Sequence, residues 1–447
     1  MNFERVALYK QKTDSPYYRP LIPEEHFDPL FDQMIELSVG LLSQADPSRI
    51  EEYKTLPAKY YKELHQKEFK DNFRDFFAGC HDPESELFKM AMYKNVVKIS
   101  TYIRFLYEKD YDKENLDKIQ IKHPMYIVSM PRSGSTFAHR VLSSSPNAQT
   151  IAIYEHFAPG SKTMAIEGRF GIVQQSCNDL TDLEGGKDLN QIHAIESIKV
   201  AEEELFFNEM LGLSMVFPCS LPRFEQYREH MFTRNYDYVY QGILDEMKMH
   251  AVEYPFTNEK DYFCMKCVTH FMTIEPFLNI QCKDELEPRI VWLHREPVGN
   301  LKSAILLYLN DRGGYEVDLG LDDIDWLNKN IIELYEIIMK NAIACREQWI
   351  AENPERKKFI IDIGFQEMTK NPIETSKKIY DYFGMEWTDE IEREMKDTVE
   401  NKHPQKNHGK KAHDESVYRF NEDEIREKFK FYYEKFGDYM PDYWGKK

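Results

Sequence analysis

The chain has 447 residues and carries a formal net charge of −19 at pH 7. Its length allows one large domain or two ordinary ones, and its 42% hydrophobic and 30% charged residues are typical of a globular protein. An acidic chain repels nucleic acid and anionic membranes at long range, which argues against both as main partners and disfavours a heavily sulfated glycan, although the basic stretch Lys402–Lys411 can overcome the global charge locally.

The cysteines indicate a reducing compartment. There are seven of them, scattered along the chain without the dense spacing of a secreted disulfide framework. Cys264 and Cys267 form a C-x-x-C pair, but nothing completes a zinc site, and no metal is predicted. The N-terminal stretch holds no apolar run of signal length, and about 18 consecutive apolar residues occur nowhere. We predict a cytoplasmic protein with no transmembrane segment.

The first part of the chain is predicted to be helical. Apolar residues recur at helical intervals over Phe27–Gln44 and over Ser85–Tyr107, and no catalytic motif interrupts them. We therefore expect residues 1–120 to form a helical N-terminal extension packed on a core domain that comprises residues 121–447.

From Lys122 onward, short apolar strands alternate with helices. This alternation predicts an α/β fold in which helices flank a parallel sheet on both faces. Ligands of such sheets bind at the carboxyl ends of the strands. The predicted strand–helix pairs are Met125–Ser129 with Ser135–Ser144, Phe263–Cys267 with Phe271–Ile280, Ile290–Leu293 with Val298–Leu309, and Phe359–Ile363 with Pro372–Phe383.

The segment Met125–Leu142, MYIVSMPRSGSTFAHRVL, predicts an anion-binding loop between a strand and a helix. Backbone N–H groups around Ser133, Gly134 and Ser135 can point at one anion, and the start of the helix adds the positive end of its dipole. No lysine follows the glycine, as it would in G-x-x-x-x-G-K-[ST], so ATP or GTP hydrolysis is disfavoured.

A second strand–turn–helix unit spans Arg289–Leu309, RIVWLHREPVGNLKSAILLYL. Arg295 follows the strand, Pro297 suits the first turn of a helix, and Ser303 comes about two helical turns later. A guanidinium and a hydroxyl so placed can bind a second phosphate, although an exposed Arg295 paired with Glu296 is the alternative. Together the two units indicate a nucleotide with phosphates at both ends.

These motifs resemble those of the sulfotransferases that use 3′-phosphoadenosine 5′-phosphosulfate (PAPS), in the branch with PRSG-type loops. The resemblance covers roughly residues 122–437, and its specificity lies in the order and spacing of the motifs. It implies a P-loop nucleotide-binding-like core. Further matching segments are Phe263–Phe271 (FCMKCVTHF), the acidic-then-aromatic Ala201–Tyr227, and Phe359–Trp387, which ends in FGMEW.

The resemblance also implies where the donor binds and which groups react. The 5′-phosphosulfate would be held by the loop residues, and the 3′-phosphate by Arg295 and Ser303. Cations beside the transferred group would stabilise charge on the leaving oxygens, with adenosine 3′,5′-bisphosphate as product. The implied residues are Arg132, Ser133, Gly134, Ser135 and Thr136 in the loop, with Arg132 and Lys266 as catalytic cations. The alternative for Lys266 is a partly buried lysine at the end of a strand, paired with a carboxylate.

A general base is expected, because an acceptor hydroxyl becomes acidic only in the transition state. Glu155 is the first choice, since it follows the apolar stretch Ile151–Tyr154 where related enzymes carry a catalytic glutamate. His270, four residues after Lys266, is the second choice, with His156 as a further alternative. The choice between Glu155 and His270 stays open.

The acceptor site is assigned with the least support from the sequence. Candidates are His156, His193, Phe207 and Phe217, with Phe224 and Tyr227 as further wall residues. The aromatic content of 14% suits an apolar small-molecule or lipid-like acceptor, although aromatic stripes more often form core. The loop Lys406–Lys411, KNHGKK, offers Lys410 or Lys411 to the nucleotide, or is a solvated basic turn.

Three functions are weighed against one another. A PAPS-dependent sulfotransferase leads, and a nucleotide-dependent kinase is disfavoured by the missing loop lysine and Mg²⁺-binding signature. The third is a catalytically inactive nucleotide-binding protein of the same fold. No motif identifies the acceptor. No motif gives the oligomeric state either, and a homo-oligomer is compatible with the sequence.

Overall fold

A computed structural model of the protein describes residues 3, 5–10, 12–78, 86–173, 199–215, 219, 225–311, 323–401 and 415–441. Within these ranges, five parallel strands form one sheet in the order β2-β3-β1-β4-β5. The strands are β1 (Met125–Val128), β2 (Ala148–Gln149), β3 (Tyr262–Lys266), β4 (Arg289–His294) and β5 (Ile360–Gly364).

The N-terminal part of the chain is helical, as the sequence predicts. The two predicted helices are observed as α1 and α6, with ends shifted by no more than a few residues. These seven helices are α1 (Glu24–Ala45), α2 (Ile50–Tyr53), α3 (Leu56–Lys59), α4 (Tyr61–Leu64), α5 (Lys67–Ala78), α6 (Glu86–Tyr111) and α7 (Lys113–Leu116).

The helices after β1 connect and flank the strands. None of the helices in the described ranges is both long and apolar enough to cross a membrane. Those that follow β1 are α8 (Ser135–Ser143), α9 (Ile153–Phe157), α10 (Leu205–Met210), α11 (Glu225–Met231), α12 (Asp237–Glu253), α13 (Ile274–Pro276), α14 (Pro297–Asp311), α15 (Ile324–Glu352), α16 (Phe365–Lys370), α17 (Pro372–Tyr382), α18 (Asp389–Asn401), α19 (Glu422–Lys428) and α20 (Lys430–Phe436).

Both faces of the sheet are covered, which confirms the predicted α/β architecture. In β1, Met125 and Ile127 pack in one buried cluster with residues of α8, α17 and α18. The alternate residues Tyr126 and Val128 join a larger cluster that also holds the N-terminal helices. This alternation follows from the period of two in a strand, and it explains why the strands are apolar throughout.

The strand order places the candidate loop at the middle of the sheet. β1 lies between β3 and β4, so the connection from β3 to β4 crosses to the other side of β1. In an open parallel sheet, such a point opens a crevice at the carboxyl ends of the strands. The segments after β1, β3 and β4 therefore meet at one edge.

One predicted helix is wrong in its form. The sequence predicts a helix over Phe271–Ile280, whereas the chain forms a 3₁₀ turn (Val268–Phe271), the short α13 and a π-helical turn (Phe277–Gln281). Pro276 has no N–H to donate, so a continuous α-helical hydrogen-bond ladder cannot run through it.

Candidate active site

The loop between β1 and α8 has an unusual backbone. Arg132 and Gly134 both have positive φ angles, of 66° and 82°. A Cβ atom at position 134 would lie 2.8 Å from Cδ2 of Phe365, so glycine is required there by conformation and by space. A left-handed conformation costs a residue such as Arg132 about 1–2 kcal/mol. Strain of this kind is typical of a functional loop.

Three side chains from the segment after β4 hold this loop in place. Asn300 donates its Nδ2 to the Pro131 carbonyl at 2.9 Å and to Ser133 Oγ at 3.0 Å. Arg295 donates Nη1 to the carbonyl oxygen of Arg132. Ser303 Oγ accepts a hydrogen bond from Nε of Arg132 at 3.1 Å. The structure thus brings together Arg132, Arg295 and Ser303, which the sequence assigns to two separate phosphate-binding units.

The charges around the loop fit an anionic ligand. Burial lowers the pKa of the Arg132 guanidinium, but arginine stays protonated in proteins. Two guanidinium groups, from Arg132 and Arg295, therefore belong to one hydrogen-bonded network beside the start of α8, whose first N–H groups have no intrahelical acceptor. Their charge and the helix dipole favour an anion there.

Arg295 is held by stacking as well as by its hydrogen bond. Its guanidinium carbon lies 4.5 Å from the ring centroid of Phe365, the same ring that packs against Gly134. The neighbouring Glu296 is buried, accepts the Gly299 N–H at 2.6 Å and accepts the Tyr433 hydroxyl. The carboxylate of Glu296 is therefore bonded inside the fold.

Lys266 lies at the end of β3, next to β1, and is 1% exposed. Its ammonium lies 2.8 Å from Oε1 of the buried Glu203, whose Oε2 accepts the Val268 N–H at 3.2 Å. Burial would lower the pKa of Lys266, but the carboxylates of Glu203 and Glu202 outweigh it and raise this pKa above its ordinary value. Lys266 is thus a charged, paired lysine, and its catalytic role stays a prediction.

Glu155 is 4% exposed and lies in α9. Its Oε2 accepts the Ala152 N–H at 3.0 Å, and its Oε1 lies 2.7 Å from His250 Nδ1. Burial opposes the charge, yet the His250 and Ala152 hydrogen bonds outweigh it and hold the pKa of Glu155 below its ordinary value. Both oxygens are therefore bonded in this state, and its role as the base stays a prediction.

The two histidine candidates are fully buried. His270 stacks on Phe277 with 4.2 Å between ring centroids, and its Nδ1 lies 3.1 Å from the Tyr240 hydroxyl. Its Nε2 is 3.7 Å from Oε1 of Glu204. His156 Nδ1 lies 2.9 Å from Glu246 Oε1; burial lowers the pKa of this imidazole, but Glu246 outweighs burial and raises it. Neither role is tested by these contacts.

The remaining predicted residues divide into core residues and residues outside the described ranges. Phe207 is fully buried and packs edge-on against Phe105 at 5.3 Å between centroids. Tyr227 is also buried, and its hydroxyl donates to the carbonyl of Gly212 at 3.0 Å. His193, Phe217, Phe224 and the whole Lys406–Lys411 loop, which includes Lys410, lie outside the described residues.

Sequence reasoning missed three residues of this site. Asn300 bonds the loop, Phe365 contacts both Gly134 and Arg295, and Glu203 neutralises Lys266. Each acts across elements that are distant in sequence. The one local signal was the position of Asn300 in the first turns of α14, three residues before Ser303 and hence on the same helix face.

Comparisons with known proteins identify the family of the chain and similar folds. The model of the sulfotransferase family matches residues 124–389, more than half of the chain, so the chain belongs to that family. Among solved structures, it is similar to sulfotransferase STF1 from Mycobacterium tuberculosis H37Rv, with a TM-score of 0.61 and 14% identity over 84% of this chain and 97% of that chain.

A second similar structure is sulfotransferase STF9 from Mycobacterium avium, with a TM-score of 0.63 and 16% identity over 83% of this chain and 92% of that chain. No curated protein matches the chain. At these identities the two structures support the fold, which is that of a sulfotransferase core with a parallel five-stranded sheet.

Proposed function

We propose that the protein transfers a sulfuryl group from PAPS to a hydroxyl or amine of a small-molecule or lipid-like acceptor. The observation that carries this proposal is the network that joins Arg132, Arg295 and Ser303 at the carboxyl ends of β1 and β4. It supplies two cations and a hydroxyl in one place, beside a helix N-terminus, which suits a nucleotide with phosphates at both ends.

Each group in the network has a distinct task in this proposal. The N–H groups of Ser133–Ser135 and the Arg132 guanidinium hold the 5′-phosphosulfate. Arg295 and Ser303 bind the 3′-phosphate, with Arg295 oriented by the Phe365 ring 4.5 Å away. When bound, the nucleotide supplies the sulfuryl group, and the protein positions it in line with the acceptor.

Lys266 is the proposed cation beside the leaving oxygen. Its pairing with Glu203 keeps it protonated and fixes its position at the end of β3. Removing one electrostatic contact of this kind costs roughly 10²–10³ in rate. Glu155 and His270 are the candidate bases, and a base contributes roughly 10²–10⁴. Within the described ranges, no group of three or more His, Cys, Asp or Glu side chains is arranged to hold a metal ion.

A cytoplasmic location is part of the same proposal. It is supported by Cys264, Cys267, Cys282 and Cys345, which are buried thiols rather than disulfides. Reduced cysteines are the rule in cytosolic proteins.

Calorimetric titration tests the donor site. We expect adenosine 3′,5′-bisphosphate to bind more tightly than adenosine 5′-phosphate or ATP, and Arg295→Ala to weaken it by roughly 10- to 100-fold, since hydrogen bonds to charged groups are worth ~1.5–3 kcal/mol. Arg356→Ala is the matched control, because Arg356 is also half-buried and stacks on an aromatic ring, 5.0 Å from Trp349. It precedes β5 and therefore lies at the amino end of its strand, whereas the site lies at the carboxyl ends.

The outcomes separate the proposed activities. Binding that requires the 3′-phosphate and depends on Arg295 supports PAPS as donor and justifies screening hydroxyl and amine acceptors. Equal or tighter binding of ATP that is indifferent to Arg295 contradicts the proposal and favours a kinase. Binding of the bisphosphate without turnover of PAPS on any acceptor favours a catalytically inactive member of the family.

A further inference from the structure

The C-terminal helix α20 contacts the residues on both sides of Arg295. The Tyr432 hydroxyl lies 2.8 Å from Nδ1 of His294, and the Tyr433 hydroxyl donates to the carboxylate of Glu296. Both tyrosines are 2% exposed, and His294 and Glu296 are buried as well. Two consecutive residues of one helix thus bond the two residues that flank the phosphate-binding arginine.

In the hydrogen bond between Tyr432 and His294, the donor and the acceptor can be assigned. Burial lowers the pKa of His294, which favours the neutral imidazole. His294 Nε2 lies 2.8 Å from Asp362 Oδ1, and Arg346 donates to both oxygens of Asp362 at 2.6 and 2.7 Å. Burial opposes the charge of Asp362, but these donors outweigh it and hold its pKa well below the ordinary value. Nε2 of His294 therefore carries the proton, and Nδ1 accepts the hydrogen bond of Tyr432.

The same part of the chain also abuts the end of β5. Phe436 stacks on His294 with 4.1 Å between ring centroids. A Cβ atom at Gly364 would overlap the carbonyl oxygen of Tyr439, so the chain after α20 packs directly on the backbone there. The next residue is Phe365, whose ring lies against both Arg295 and Gly134.

We infer that residues 430–440, the C-terminal clamp, are positioning residues that set the preference of the site for a 3′-phosphate. The clamp fixes His294, Glu296 and Gly364, and these are the chain neighbours of Arg295 and Phe365. It lies beyond the residues 124–389 that the family model matches. The inference rests on the proposed function, because it assigns the 3′-phosphate to Arg295.

The test measures a ratio of affinities rather than activity. Tyr433→Phe and Tyr432→Phe remove one hydroxyl each and keep the ring. Binding of adenosine 3′,5′-bisphosphate and of adenosine 5′-phosphate is measured by calorimetry for each variant. Tyr380→Phe is the matched control, because its buried hydroxyl, 2.7 Å from that of Tyr262, lies in the helical layer on the other face of the sheet.

We expect each clamp variant to lower the affinity for adenosine 3′,5′-bisphosphate about tenfold, which corresponds to one lost hydrogen bond to a charged or polarised group. The affinity for adenosine 5′-phosphate should change by less than about twofold. Tyr380→Phe should leave the ratio of the two affinities unchanged. A merely structural effect would weaken the binding of both nucleotides equally. A ratio of affinities that stays unchanged in the clamp variants therefore overturns the inference.

Wild-type protein supplies a second measurement that needs no variant. Hydrogen exchange of the amides in residues 430–440 should slow more with adenosine 3′,5′-bisphosphate than with adenosine 5′-phosphate at equal saturation, and equal exchange contradicts the clamp. If wild type itself does not distinguish the two nucleotides, the proposed function fails and the inference fails with it. If wild type distinguishes them and the clamp variants do so equally well, only the inference fails.

Discussion

At the scale of single residues, Gly134 shows how one position combines conformation and contact. Its φ of 82° disfavours any side chain, and an added Cβ would press into the Phe365 ring at 2.8 Å. Gly384 has a similar φ of 63°, but an added Cβ there meets no atom within 4 Å. A substitution at Gly384 therefore adds backbone strain alone, whereas the same substitution at Gly134 also displaces the Phe365 ring that orients Arg295.

We therefore predict different outcomes for Gly134→Ala and Gly384→Ala. Both should lower the free energy of unfolding by about 1 kcal/mol or more, because alanine is strained at positive φ. Only Gly134→Ala should also weaken binding of adenosine 3′,5′-bisphosphate, by roughly tenfold or more, since Phe365 and Arg295 must move. Denaturant unfolding and calorimetry measure the two effects. Equal nucleotide affinity in the two variants contradicts the contact with Phe365 as a determinant of binding.

The charge of Glu155 makes a second prediction at this scale. Its pKa is lowered by His250 and Ala152 against the effect of burial, so the ionised form stabilises the fold. This stabilisation is complete above the unfolded value of ~4.3 and is lost as the pH falls through the lower folded value. Glu155→Gln should destabilise the protein by about 1–3 kcal/mol at pH 7 and by less in acid below pH ~4.

Urea unfolding of wild type and Glu155→Gln between neutral and acidic pH measures this difference. Glu355→Gln is a suitable control, since Glu355 is exposed at the start of a 3₁₀ turn, and we expect a change below about 0.5 kcal/mol. A destabilisation by Glu155→Gln that grows as the pH falls would contradict the sign of the pKa shift.

At the scale of elements, the alternation of strands and helices was predictable because it depends on local periodicity. Met125–Ser129 is observed as Met125–Val128, and Pro372–Phe383 as Pro372–Tyr382. The contacts of the site were not predictable in the same way. Arg295 reaches the carbonyl of a loop 163 positions earlier, and Lys266 pairs with Glu203 across a segment with its own helices. No local pattern encodes such a pairing.

The start of α14 illustrates how an element positions the loop. Asn300 is fully buried and directs both hydrogen bonds of its amide nitrogen at residues 131 and 133. Asn328 is a comparable buried amide in α15, and its nitrogen donates to the carbonyls of Ile324 at 2.9 Å and Val417 at 3.0 Å. The two asparagines are therefore alike in burial and in the number of hydrogen bonds donated, but only Asn300 bonds the loop between β1 and α8.

We predict that Asn300→Asp abolishes tight nucleotide binding, whereas Asn328→Asp does not. A carboxylate at 300 loses the two donated hydrogen bonds, worth ~1 kcal/mol each, and places a negative charge beside the anion site. Together these effects should lower the affinity by roughly 100-fold or more. Both variants should lose stability, by about 1–3 kcal/mol. Calorimetry with adenosine 3′,5′-bisphosphate on folded samples decides, and comparable affinities in the two variants would remove Asn300 from the site.

At the scale of the whole molecule, the N-terminal helices are joined to the segment that carries Glu155. In α6, Thr101 Oγ1 donates to the Phe157 carbonyl at 2.7 Å, and Arg104 Nη2 donates to the Gly160 carbonyl at 2.8 Å. The carboxylate of Glu108 accepts the Thr163 N–H at 2.8 Å. The spacing of three and four residues places these side chains on one helix face. The N-terminal helices therefore fix the backbone that follows the candidate base.

The same helices share their core with the sheet, and this predicts how the protein unfolds. Phe27 and Phe31 of α1 belong to one buried cluster with Tyr126 and Trp292 of the strands. We expect residues 24–116 and the sheet to unfold in one cooperative transition, because neither can lose its partner without exposing that shared apolar surface to water. Hydrogen exchange under native conditions should give amides of α1, α6 and β1 the same free energy of opening, and calorimetric and van't Hoff enthalpies should agree. A lower opening free energy for α1 and α6 than for β1 would instead make residues 1–120 an independent unit.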